Sequence, residues 1–139
     1  MGTIFTSINY WAVFVAAIVY WFLGAIWFSS LGTVWTKELD KHGIRLPKPT
    51  KAGMIVKFVI TFILNFLIAW AVALVIHGLG IATVGAAIGW GLILGIGISA
   101  FTIGMAYLWE SRSLLITLID VGYPIIGIVI SSIILTLWR

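Results

Sequence analysis

Charged positions interrupt this chain in only a few places, and the stretches between them are apolar on every face. Trp11 to Phe28 is 18 residues without a charge, lengthened by Asn9 and Tyr10 before it and Ser29 and Ser30 after it. About 20 such residues cross the hydrocarbon of a bilayer as a helix, so a first span is predicted over about 9–30. From Lys57 to Glu110 there are 52 residues with no Lys, Arg, Asp or Glu. As one helix they would measure roughly 78 Å, more than twice the thickness of the core, so the segment must fold back. His77-Gly78-Leu79-Gly80 marks the break. The second and third spans are therefore placed at about 58–76 and 84–109, and a fourth, holding the single charge Asp120, at about 114–138. Runs such as Val72-Ala73-Leu74-Val75-Ile76 lack the alternating polarity of a barrel strand. The pattern predicts an all-α protein: an integral membrane four-helix bundle, with residues 1–139 as a single transmembrane domain.

Composition sharpens this class. Hydrophobic residues make up 63% and charged residues 9%, far below the charged share of a soluble domain, about 25%. Cysteine is absent, so disulfides, thiolate metal sites and cysteine nucleophiles are excluded. The net charge is +4, and its distribution carries more meaning than its size. Lys37, Lys41, Arg45, Lys48, Lys51 and Lys57 join the first two spans, Arg112 joins the last two, and only Arg139 faces them from the other side. The positive-inside rule then predicts cytoplasmic basic loops with both termini outside. Anionic lipid headgroups are the natural partner of the basic loop, and nucleic acid is not needed to explain the charge. Within that loop Val34 to His42 reads as a short interfacial helix with Trp35 and Leu39 on one face. Gly43 stands where the helix would stop, Pro47-Lys48-Pro49 forces an extended stretch, and Thr50 suits the N-cap of the second span. Tyr10, Trp11, Trp27, Trp35, Tyr107, Trp109 and Trp138 cluster near span ends and read as an interfacial aromatic belt.

Small residues recur at helical spacing. Gly91, Gly95 and Ser99 lie four apart in the third span, and Gly127 and Ser131 in the fourth. Such spacing lets two backbones approach closely, within one bundle or between copies of it. Polar residues inside the spans are few. An ionised carboxylate near a helix centre costs about 2.5–3.5 kcal/mol on insertion scales, which singles out Asp120. Asn65, Thr102 and Tyr20 fall at a similar depth on the other three spans, so one polar layer with a member from each helix is expected. Gly122 and Pro124 follow Asp120, and proline leaves the carbonyl four residues earlier unpaired, so a kink is predicted there. Glu110 and Arg112 read as anchors of the turn between the last two spans. His42 and His77 fall on opposite faces of the membrane and cannot share a metal.

Catalytic signatures such as HExxH, the P-loop or GxSxG do not occur, so an enzyme is disfavoured and no cofactor or metal is expected. Several short motifs taken in order resemble a family, the domain of unknown function 1761. They are Asn9-Tyr10-Trp11-Ala12-Val13, Gly24-Ala25-Ile26-Trp27-Phe28-Ser29, Trp35, Glu110-Ser111-Arg112-Ser113, Gly122-Tyr123 and Leu137-Trp138. Members often carry a proline after the serine of the second motif, where this chain has Ser30. The resemblance implies four spans in a bacterial inner membrane and supplies no activity. Two functions remain in play. One is a homo-oligomeric accessory or interaction bundle. The other is a small proton, cation or polar-solute transporter or channel working through Asp120 and Asn65.

Overall fold

The structure is a computed structural model that describes residues 2–139. It is all helical, and four of its helices are long and apolar enough to cross a membrane. A short helix, α1 (Gly2–Ser7), precedes the first of them. Span one is α2 (Tyr10–Lys41) and span two is α3 (Lys51–Gly78). Span three is divided into α4 (Val84–Leu94), a π-helical turn at Gly95–Ala100, and α5 (Phe101–Trp109). Span four is α6 (Leu114–Leu137).

Side-chain caps start each long helix. Asn9 accepts from the N–H groups of Trp11 and Ala12, Thr50 from Gly53, Thr83 from Ala86 and Ser113 from Ile116. Each cap pairs amides that the first helical turn leaves without partners. The other ends close in a common way. Ile44 N–H donates to the Leu39 carbonyl and Gly43 N–H to that of Asp40, with Gly43 at φ +73°. The same pair of bonds recurs around Gly80, at φ +63°, and around Ser111, at φ +55°. These are Schellman motifs, which need a left-handed residue just past the helix. Ser111 fills that place without glycine's freedom and carries a steric cost of about 1–2 kcal/mol.

Two elements differ from the sequence-based expectation. Residues 34–41 are helical, but they continue span one and do not form a separate interfacial helix. At 32 residues α2 measures about 48 Å, against a hydrocarbon core of about 30 Å. Ser29 and Thr36 do not break it, because their hydroxyls donate to the carbonyls of Ala25 and Gly32 one turn back. The second difference is the π turn in span three. Its wider i→i+5 pitch means that residues four apart no longer return to one face. Ser99 lies within that turn and is only half-buried, so the expected Gly91-Gly95-Ser99 stripe ends at Gly95.

Span four is the axis of the bundle and packs against all three of the others, whereas span three leans mainly on span four. The glycines show how closely the helices approach. A Cβ on Gly91 would meet the Cα of Val129 at 2.8 Å, and one on Gly95 the Cα of Ile125 at 2.9 Å. Span three is therefore laid directly on the backbone of span four. On the other side, the Tyr20 ring occupies the place a side chain at Gly127 would need, Trp27 fills the notch at Gly122, and Tyr123 fills that at Gly24. Ala12, Ala16, Ala69 and Ala73, all with no exposed surface, complete the core where spans one and two meet. Lipid is as apolar as leucine, so close backbone contact of this kind takes the place of a hydrophobic driving force.

Gly127→Ala is expected to destabilise the bundle by about 1–3 kcal/mol, because the Tyr20 ring cannot retreat from a packed core. Gly32→Ala, whose new methyl meets open space, is expected to be neutral or to stabilise by about 0.5–1 kcal/mol. Equilibrium unfolding in mixed micelles measures both.

Candidate functional site

The intramembrane polar groups form two separate clusters, each built on span four. In the first, the Asn65 amide donates to the Tyr123 hydroxyl at 3.0 Å, and that hydroxyl donates to the Tyr20 backbone carbonyl at 3.2 Å. Asn65 is 3% exposed and Tyr20 2%. The Tyr20 and Tyr123 rings pack with centroids 5.0 Å apart. Spans one, two and four are thus tied by one asparagine and two tyrosines. Each polar atom in this chain of bonds has a protein partner, as hydrocarbon surroundings require.

The second cluster surrounds Asp120. The Tyr107 hydroxyl donates to Asp120 Oδ2 at 2.8 Å across the turn between spans three and four. The Arg112 guanidinium lies over the same Tyr107 ring, 4.8 Å from its centroid. Arg112 Nε donates in turn to Glu110 Oε2 at 2.6 Å. That bond raises the Arg112 pKa further above its usual value, so the guanidinium stays charged. Trp35, from the extension of α2, has its indole nitrogen buried without a hydrogen-bond partner among the described residues. A connected line therefore runs from the exposed Glu110, through Arg112 and Tyr107, to a carboxyl one and a half turns inside span four.

The expected single polar layer is corrected by this arrangement. Asn65 and Tyr20 do come together, but through Tyr123. Asp120 turns instead towards the basic end of the bundle, and among the described residues it shares no hydrogen bond with Asn65. Thr102 is exposed on the outer face of span three and joins neither cluster. Counting back from Glu110 gives its depth along the helix but not the face on which it lies. Glu110 and Arg112 bond to each other within the turn, and Arg112 also lies over the Tyr107 ring. α6 runs through Pro124 as one helix. One residue before the carbonyl that Pro124 leaves without an amide, the Ile119 carbonyl accepts from Trp27 Nε1 at 2.9 Å. Trp27 thus serves as an internal donor and not only as a belt residue.

Sequence reasoning misses two contributors, Tyr107 and Tyr123, the first because its place near a span end reads as part of the aromatic belt. The available signal was a hydroxyl or indole within two turns of each intramembrane polar residue, since such a residue needs a partner. A third group lies towards the opposite end. Ser131 is fully buried, and its hydroxyl, the Thr136 hydroxyl and His77 Nε2 have no partner within the described residues.

Compared with known proteins, the chain matches the family described as Protein of unknown function (DUF1761) over residues 11–136. It belongs to that family. No curated protein and no solved structure matches it.

If the Tyr107 hydroxyl holds Asp120 in place, Tyr107→Phe and Asp120→Asn should not be additive. A coupling energy of about 0.6–1.7 kcal/mol is expected, as for hydrogen bonds between other membrane helices. Unfolding of the two single variants and the double variant measures it, and simple additivity would separate the two residues.

Proposed function

We propose that this DUF1761 family member is a homo-oligomeric membrane bundle that acts as an accessory or interaction subunit. The observation that carries the reading is the outward face of span three. Gly91 and Gly95 are used against span four, but a Cβ on Gly85, Gly89, Gly97 or Gly104 would meet open space. Gly85, Gly89 and Gly97 are exposed, so this part of the span's glycine-rich surface is turned away from span four. Small residues on a lipid-facing helix let another helix dock at backbone distance. Span three is also the least buried of the four, so it has a free side to offer.

The transporter reading has less support. It called for Asp120 and Asn65 in one layer open to solute, whereas the two are engaged in different clusters by tyrosine hydroxyls. The cavity between spans one and two and the one that follows it along α2 are lined by neither Asp120 nor Asn65.

The orientation follows from charge. Basic residues crowd the 37–57 loop and the turn at Arg112, which favours a cytoplasmic location for that end and outside termini for the cell-membrane protein.

Single-molecule photobleaching in liposomes should find oligomers of the wild type. Gly89→Leu and Gly97→Leu should each shift the population towards monomer without loss of helix content. A monomeric wild type would overturn the reading. Because the chain lacks cysteine, single cysteines at Thr3 and Lys48 report the orientation. An impermeant maleimide on intact cells should label the first and spare the second.

A further inference from the structure

Beside the Asn65–Tyr123 cluster, and away from the outward face of span three, the bundle is open. A cavity of about 540 Å³ opens between spans one and two, lined by Trp21, Phe22, Ala25 and Phe58 with Thr61 and Tyr123 beside them. A second, of about 450 Å³, follows α2 past Gly32, Thr33 and Thr36 to Lys37. Phe28 and Ser29 line both, so the two adjoin end to end along α2, and together they are called the groove. We infer that this groove binds a single anionic phospholipid, with an acyl chain between spans one and two and the phosphate at Lys37.

Length, polarity and charge each select that occupant. From Trp21 to Lys37 the groove follows 16 residues of helix, about 24 Å. One bilayer leaflet including its headgroup zone is about 20–22 Å thick. The deep end offers a hydrocarbon chain nothing to compete with. The Trp21 indole N–H is bonded to the Phe58 carbonyl at 3.1 Å, which also pins one wall to the other. The Tyr123 hydroxyl is engaged by Asn65 and Tyr20. Polarity rises along the groove through the hydroxyls of Ser29, Thr33 and Thr36 to the Lys37 ammonium. Acidic groups are near: Asp40 lies one turn beyond Lys37, and Glu38 is turned towards His42, 3.7 Å away. Lys37 is the cation that lines this end of the groove, and the loop that continues from it, with Lys41, Arg45, Lys48 and Lys51, is net positive against those two acids, which complements a phosphate. A zwitterionic lipid would fit the same hydrocarbon slot without that gain.

The test is native mass spectrometry of the full chain released from vesicles of equal phosphatidylglycerol and phosphatidylcholine. Preferential retention of one phosphatidylglycerol is expected. Lys37→Gln should lower that retention about fivefold, while Lys48→Gln, in the same loop but outside the groove, should change it by less than about twofold. Ala25→Trp should fill the slot and abolish retention of either lipid. Thr61→Trp, entering from the opposite wall, should do the same if Ala25→Trp fails to fold. Equal retention of both lipids would overturn the inference. So would equal losses from Lys37→Gln and Lys48→Gln, which would mean diffuse attraction by the loop. A disulfide between two copies of Ala25→Cys would also overturn it by putting a second chain in the groove.

Discussion

Close backbone approach to span four is the contact on which the rest of the bundle depends. In lipid there is little hydrophobic gain from bringing two apolar helices together, so association rests on packing and on polar groups that find each other. Gly91 and Gly95 let span three sit against the Cα atoms of Val129 and Ile125. Gly122 and Gly127 let Trp27 and Tyr20 of span one enter the surface of span four from the other side. With glycine on both flanks, span four becomes the most buried of the four long helices, and its neighbours are arranged around it.

The polar groups follow from that approach. Rings that fill glycine notches bring their polar ends to places where the membrane offers no water. Trp27 sits in the notch at Gly122 and donates to the Ile119 carbonyl. Tyr123 sits in the notch at Gly24 and joins Asn65 to the Tyr20 carbonyl. Asp120 follows the same logic at the basic end, where Tyr107 donates to it and Arg112 covers the Tyr107 ring. Packing and hydrogen bonding are in this way two readings of the same contacts. The outer face of span three and the groove between spans one and two are what the arrangement leaves unfilled, and the functional readings rest on those two surfaces.

Much of this was legible in the sequence, because a bilayer imposes few and strict requirements. Charge-free runs of sufficient length dictate spans, Gly43 and Gly80 dictate helix ends, and Thr50 dictates a cap; none of these depends on a distant residue. Asp120 and Asn65 were recognisable as groups needing partners for the same reason. The partners were not recognisable. Counting residues from the span ends gives depth but not azimuth, so Thr102 was placed in a layer that it faces away from. The six-residue π turn at Gly95–Ala100 rotates everything beyond it, and no local residue preference announces it.

What the sequence determined by itself is the class of the protein, the number of its spans and the segments in which its positive charge gathers, since each follows from the cost of placing charge or unpaired backbone in hydrocarbon. Tertiary structure alone decided which glycines are spent inside the bundle and which are left open. It also decided that Asp120 pairs with Tyr107 and that Trp27 turns inward. Those outcomes depend on the rotation of each helix about its own axis. In a chain apolar on every face, hydrophobic patterning cannot set that rotation, and the fit of rings into glycine notches does.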